Sequence, residues 1–158
     1  VKEPTIKLDR ETANIYPPAT KTVTFTVTVN GVQGNSGVTW TSGNTKVATV
    51  SNGKVTAVGK GTATITAKAN GKLAKAKVTV KDPYANVSPT SGTIKIGKTL
   101  QLTTNYAPAS TGTPSYSSSN KKVATVDSKG VVKGVKAGTA TITVKANGVT
   151  AKAEITVK

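Results

Sequence analysis

One block of this sequence occurs twice, and that duplication constrains the fold more than any other feature. Lys46-Val47-Ala48-Thr49-Val50 recurs as Lys122-Val123-Ala124-Thr125-Val126. Gly61-Thr62-Ala63-Thr64-Ile65-Thr66 recurs as Gly138-Thr139-Ala140-Thr141-Ile142-Thr143, and Lys68-Ala69-Asn70-Gly71 as Lys145-Ala146-Asn147-Gly148. The offset is 76 residues at first and 77 further on, so the second copy carries one inserted residue near Ser128. The front halves align more loosely. Leu8 and Ile15 match Val87 and Ile94, Thr22-Val23-Thr24-Phe25 matches Thr99-Leu100-Gln101-Leu102, and the first copy has two extra residues around Pro17-Pro18. The boundary falls at Lys81-Asp82-Pro83, giving domains over residues 1–82 and 83–158, each within the range of autonomous domains. Almost no linker separates them. Pro83 restricts Asp82 to extended backbone, which predicts an elongated, stiff tandem.

The repeated segments alternate apolar and polar residues with period two, the mark of half-buried strands. Thr22 to Val29 puts Val23, Phe25, Val27 and Val29 on one face of a single run. Asn-Gly pairs at 30–31, 52–53, 70–71 and 147–148, and Lys129-Gly130, punctuate the runs; Asn-Gly suits a two-residue type I′ hairpin. If Asn70-Gly71 is such a turn, Ala67 faces Ala74, Ile65 faces Ala76 and Ala63 faces Val78, while Lys68, Lys75 and Lys77 share the opposite face. In the second copy Val144 faces Ala151, Ile142 faces Ala153 and Ala140 faces Ile155, with Lys145 and Lys152 outside. A one-residue slip would expose every apolar side chain, so the agreement in both copies supports this register.

About seven short strands per copy, each with one buried face, predict an all-β chain of two tandem β-sandwiches. Phe25 and Trp40, with Leu102 and Tyr116 in the second copy, are the largest candidate core fillers. Val50, Ile65, Val78, Val126, Ile142 and Ile155 complete the expected core. Burying each large side chain contributes about 1.5–3 kcal/mol before opposing terms are counted.

The run Val38-Thr39-Trp40-Thr41-Ser42, then Asn44, Val47-Ala48-Thr49-Val50, Gly53-Lys54-Val55-Thr56-Ala57-Val58 and Gly61-Thr62-Ala63-Thr64-Ile65-Thr66-Ala67, resembles the bacterial immunoglobulin-like domain, group 2. The second copy resembles it through Ser117-Ser118-Ser119-Asn120, Val123-Ala124-Thr125-Val126, Gly130-Val131-Val132 and Gly138-Thr139-Ala140-Thr141-Ile142-Thr143, departing at the Trp position, where Tyr116 stands. The resemblance implies two immunoglobulin-like sandwiches in an extracellular protein of the bacterial surface or cell wall, or on a phage virion. It implies a stalk, spacer or adhesion segment, a weak carbohydrate or surface binder, or an accessory domain of a secreted polysaccharide-degrading enzyme. It brings no catalytic motif.

Composition narrows the chemistry. The chain lacks Cys and His, so no thiolate or imidazole site exists, and no apolar run approaches the ~20 residues of a membrane helix. General acid–base work would fall to Lys, Tyr or six carboxylates: Glu3, Asp9, Glu11, Asp82, Asp127 and Glu154. Asp9 and Glu11 read as a solvated surface pair. No Gly-x-Ser-x-Gly elbow accompanies the many Ser and Lys residues, and no catalytic residue or cofactor is expected. Calcium needs several carboxylates; Asp82 supplies one, and Asp9 and Glu11 join it only if the fold brings them together. Gly59-Lys60-Gly61-Thr62 leads into a strand and reads as a turn, not a phosphate cradle.

The remaining signal is a net charge of +16, from 22 basic and 6 acidic residues. It is evenly shared: residues 1–82 hold 12 basic and 4 acidic, and residues 83–158 hold 10 and 2. Even spreading without stacking aromatics argues against a focused nucleic-acid site. It suits diffuse contact with an anionic cell-wall polymer or surface glycan, with Lys68, Lys75, Lys77, Lys145 and Lys152 as candidate contacts. The same lysines also guard exposed strands against aggregation. A monomer without membrane insertion, joined to neighbouring domains of a longer protein, is the expected state.

Overall fold

The computed structural model describes residues 2–109 and 112–158, and those residues form β-strands joined by turns. The chain divides into two compact units, Val1–Asp82 and Pro83–Lys158. The first contains β1 (Ile6–Leu8), β2 (Thr12–Ile15), β3 (Thr22–Thr24), β4 (Val27–Val29), β5 (Val32–Gln33), β6 (Thr39–Ser42), β7 (Ala48–Ser51), β8 (Lys54–Ala57), β9 (Gly61–Ala69) and β10 (Lys72–Val80). A four-stranded sheet of order β2-β10-β9-β6 makes one layer; two three-stranded sheets, β1-β4-β5 and β3-β8-β7, make the other. All pairings in this unit are antiparallel except β2 with β10.

The second unit repeats the plan with β11 (Tyr84–Ser88), β12 (Ser91–Ile94), β13 (Thr99–Gln101), β14 (Thr103–Ala107), β15 (Ser115–Ser118), β16 (Ala124–Val126), β17 (Val131–Gly134), β18 (Gly138–Ala146) and β19 (Val149–Val157). Its sheets are β12-β19-β18-β15, β11-β14 and β13-β17-β16.

The β9–β10 hairpin has the register that its turn dictates: Ala67 opposes Ala74, Ile65 opposes Ala76 and Ala63 opposes Val78. The β18–β19 hairpin matches it, with Val144 opposite Ala151 and Ala140 opposite Ile155. Asn70 and Gly71 have φ of 50° and 75°, and Asn147 and Gly148 have 55° and 77°, the two positive values a type I′ turn needs. Lys129-Gly130 differs. Only Gly130 has positive φ there, and the Asp127 carboxylate accepts from the N–H groups of Lys129 and Val131. The inserted residue thus makes a longer, side-chain-capped loop in place of an Asn-Gly turn.

Two expectations change. The strands are shorter and more numerous than seven per copy, because the alternating run Thr22–Val29 is two strands. β3 pairs with β8, and β4 pairs with β1. The chain switches sheets at Phe25-Thr26 while keeping its apolar side chains inward. The second copy switches at Leu102, between β13 and β14.

The second change concerns the core. Phe25, Ile65, Val78, Ile142 and Ile155 are fully covered and Leu102 nearly so, but Trp40, Val50, Tyr116 and Val126 are only partly buried, packed against the core margin. All four sit on edge strands: β6 and β15 end the four-stranded sheets, and β7 and β16 end the three-stranded ones. An edge residue lacks a covering neighbour on one flank. Val27, Val55, Val132 and Val144, on inner strands that the pattern underweighted, are fully covered instead, as is Ile15 at the end of the edge strand β2.

Candidate functional site

The outer faces of the four-stranded sheets carry the candidate contacts. In the first unit the rows follow from the register. Lys68 lies between Leu73 and Thr39, Lys75 lies beside Thr66 and then Thr41, and Lys77 lies between Thr64 and Thr12. Lys75 and Lys77 occupy alternate positions about 7 Å apart along one strand, and Lys68 is diagonal to Lys75. All three are exposed and none forms an ion pair among the described residues.

Three of the unit's four acids are instead paired locally, and Glu11, just before β2, forms no ion pair among the described residues. Asp9 bonds Arg10 at 2.8 Å, Asp82 bonds Lys60, and Glu3 approaches Lys72 at 3.7 Å. These exposed pairs contribute little stability. Lys68, Lys75 and Lys77 thus stand on the sheet face amid hydroxyls without an ion-pair partner among the described residues, with Glu11 lining the same surface depression as Lys75.

The second unit's face is weaker. Lys145 lies between Thr150 and Ser115, and Lys152 beside Thr143 and Ser117. Glu154, opposite Thr141, occupies the place of Lys77 and puts a negative charge in the row. Among the described residues, no three carboxylates gather into a metal-binding group.

Asp9 is more than a solvated surface acid. Its Oδ1 accepts from the Thr26 N–H at 3.1 Å, and its Oδ2 accepts from Arg10 Nη2 and Nε at 2.8 and 3.0 Å. Arg10 also donates to the Thr24 carbonyl and lies 5.4 Å from the Phe25 ring centroid. The pair braces the passage from β1 to β2 against the switch from β3 to β4. Ser88-Pro89 stands at the equivalent position in the second unit, so no repeated motif marks the brace.

Burial pushes the Asp9 carboxyl up, but hydrogen bonds from Arg10 and Thr26 and the Arg10 charge outweigh it and hold the group below its ordinary 3.8. A lowered carboxyl favours the folded state at pH above the unfolded value, and that contribution disappears as pH falls through the folded one. The stability difference between the native chain and Asp9→Asn is therefore expected to be constant near neutrality and to shrink below about pH 4. Denaturant midpoints across an acid pH series measure it.

Sequence reasoning missed two amides. Asn35 Nδ2 donates to the carbonyls of Phe25 and Asn52, at 2.9 and 3.1 Å, and Asn35 Oδ1 accepts from the Val27 N–H. Gln101 Nε2 donates to the equivalent carbonyls, Leu102 and Lys129, at 2.7 and 2.8 Å. Each amide satisfies backbone groups freed where the chain changes sheets. One comes from a loop after β5 and the other from within β13, so alignment of the copies does not reveal the shared role.

Trp40 and Tyr116 also differ. The Tyr116 hydroxyl hydrogen-bonds Thr104 Oγ1 at 2.9 Å. Val27 holds the position of Thr104 in the first unit, and Trp40 Nε1 is covered with no hydrogen-bond partner among the described residues. Gly59-Lys60-Gly61 is a turn between β8 and β9, where a Cβ on Gly59 would lie 2.8 Å from the Lys46 carbonyl.

The profile of the bacterial Ig-like domain (group 2) matches residues 5–80 and 84–157, nearly the whole chain in two copies. An uncharacterised protein of Clostridium acetobutylicum is 33% identical over 150 residues, covering 90% of this chain and 15% of that protein. A 3-O-alpha-D-galactosyl-alpha-L-arabinofuranosidase of Bifidobacterium longum subsp. longum is 54% identical over 52 residues, 32% of this chain and 5% of the enzyme. The chain thus spans a small fraction of the curated relatives it matches. The crystal structure of the S-layer protein rSbsC is similar over 99% of this chain and 28% of its own, at 22% identity and a TM-score of 0.49.

Proposed function

The chain belongs to the bacterial Ig-like domain (group 2) family, and we propose on that premise that it is a non-catalytic spacer and adhesion segment of a bacterial protein at the cell surface or in the wall. One observation carries this reading: among the described residues, no polar or charged side chain is buried. A catalytic site needs reactive groups held in a shielded, preorganised setting. Here the buried residues are apolar, and the ionisable groups lie on open sheet faces and loops. The partial coverage of both curated relatives supports a segment whose partners in function lie elsewhere in a longer chain. The 52-residue match to the arabinofuranosidase fits an accessory module and spans too little of that enzyme to argue for its chemistry.

Replacement tests the spacer role. The tandem is exchanged, between a wall anchor and a reporter domain, for an unrelated pair of sandwiches of equal length. Reporter accessibility at the cell surface is expected to survive the exchange and to fall when the tandem is deleted. Loss of accessibility on exchange contradicts a purely spacing role.

The unpaired Lys68, Lys75 and Lys77 favour a second contribution, contact with anionic wall polymer. Binding to teichoic acid is expected at low salt and to weaken steeply as salt screens the charges. Changing those three to Gln is expected to weaken it more than changing Lys145 and Lys152, because Glu154 already offsets the second face. Absence of salt-sensitive binding to every anionic polymer sinks this reading.

A further inference from the structure

We infer that Asn70 is a site of spontaneous succinimide formation, singled out by the fold from four Asn-Gly pairs of identical sequence. The reaction needs the backbone nitrogen of the following glycine to attack the Asn Cγ, with no side chain on that glycine to obstruct it. In the attack a base from solvent takes the Gly71 amide proton, the new N–Cγ bond closes a five-membered imide, and Nδ2 leaves as ammonia. Water then opens the imide at either carbonyl and yields aspartate or isoaspartate. The sum is one water consumed and one ammonia released.

The four pairs share a positive-φ turn but differ in what holds the asparagine. Asn30 Oδ1 accepts the Thr5 N–H at 2.9 Å, and the Asn30 N–H donates to the Thr5 carbonyl. Asn52 is fixed by Asn35, which donates to its carbonyl, and Gly53 is buried, with its carbonyl accepting the Phe25 N–H. A Cβ built on Gly53 would lie 2.2 Å from Asn35 Nδ2 and 2.5 Å from the Phe25 carbonyl, so the glycine is closely held and the turn resists the rearrangement that brings its nitrogen onto Cγ. Asn147 Nδ2 donates to the Pro108 carbonyl at 2.9 Å.

At Asn70 nothing comparable appears. The residue is exposed, and its side chain forms no hydrogen bond among the described residues. The turn must open to bring the Gly71 nitrogen onto Cγ. Its hairpin tip resists weakly, because Lys72 and Leu73 beside it are exposed and Leu73 is 54% accessible. The product places a carboxylate two residues from both Lys68 and Lys72, and lowers the net charge of +16 by one. The isoaspartyl form adds a backbone carbon to a turn whose two-residue length sets the register.

The test follows the native protein in mildly alkaline buffer at physiological temperature, with peptide mapping by mass spectrometry and isoaspartyl methyltransferase labelling. Asn70 is expected to convert at least roughly fivefold faster than Asn147, Asn30 or Asn52, the factor set by about one side-chain hydrogen bond. In denaturant the rates at the four sites are expected to converge, because the flanking sequence is then the only difference. Equal rates in the folded protein, a faster site elsewhere, or an inert Asn70 overturns the proposal. A rank order that persists in denaturant overturns its structural basis.

Discussion

Phe25→Ala is expected to remove a large share of the stability of the first unit. The side chain is fully buried at the point where the chain leaves one sheet for the other. Both layers pack around it, and Arg10 lies over its ring. Truncation forfeits the transfer free energy and leaves a cavity at a site pinned on both sides, at a cost of about 3–5 kcal/mol. A unit of this size has in total about 4–12 kcal/mol. The single tryptophan, Trp40, lies in this unit and makes its fluorescence a unit-specific probe. Its denaturant midpoint is expected to collapse in Phe25→Ala and to stay in place in Leu102→Ala, which damages the separate core of the second unit. Equal effects of both substitutions on Trp40 would show that the two cores do not act separately.

Gly53→Ala and Gly71→Ala are expected to differ although both alter an Asn-Gly turn with similar backbone, φ of 83° and 75°. At Gly71 the added methyl meets open space, and the cost is the left-handed penalty of about 1–2 kcal/mol. At Gly53 the methyl falls on Asn35 Nδ2 and on the Phe25 carbonyl. Asn35 must leave, and its bonds to Phe25, Asn52 and Val27 go with it. At about 1 kcal/mol for each bond lost, added to the left-handed penalty, the total rises to roughly 4–5 kcal/mol. Asn35→Ala, which removes the bonds without the clash or the backbone penalty, is expected to fall between the native chain and Gly53→Ala. Equal costs for the two glycine substitutions would remove the amide bridge from the account of this fold.

The hairpins were legible in the sequence because one local signal, Asn70-Gly71 or Asn147-Gly148, fixes the pairing, and alternation then confirms it over a whole strand. The sheet switches at Phe25 and Leu102 were not. An inward side chain stays inward whichever layer its strand joins, so alternation runs through the switch unbroken. What marks the break is backbone satisfaction, supplied by Asn35 in one unit and Gln101 in the other. Strand order was equally hidden, and it decides that Trp40 and Tyr116 lie at the core margin while Ile65 and Ile142 lie at its centre. For the candidate face, the period of two placed Lys68, Lys75 and Lys77 outside. The brace of Asp9 and Arg10 escaped notice because the groups it holds, at Thr24 and Thr26, are distant in sequence.

Each unit has an apolar core of its own and carries its charged groups at the surface, which predicts that each folds alone. The direct measurement is to produce residues 2–82 and 83–158 separately and record amide spectra and denaturant unfolding of each. Dispersed β-sheet spectra and a cooperative transition for each piece are the predicted result. A piece that stays unfolded alone, yet orders in the intact chain, would contradict it.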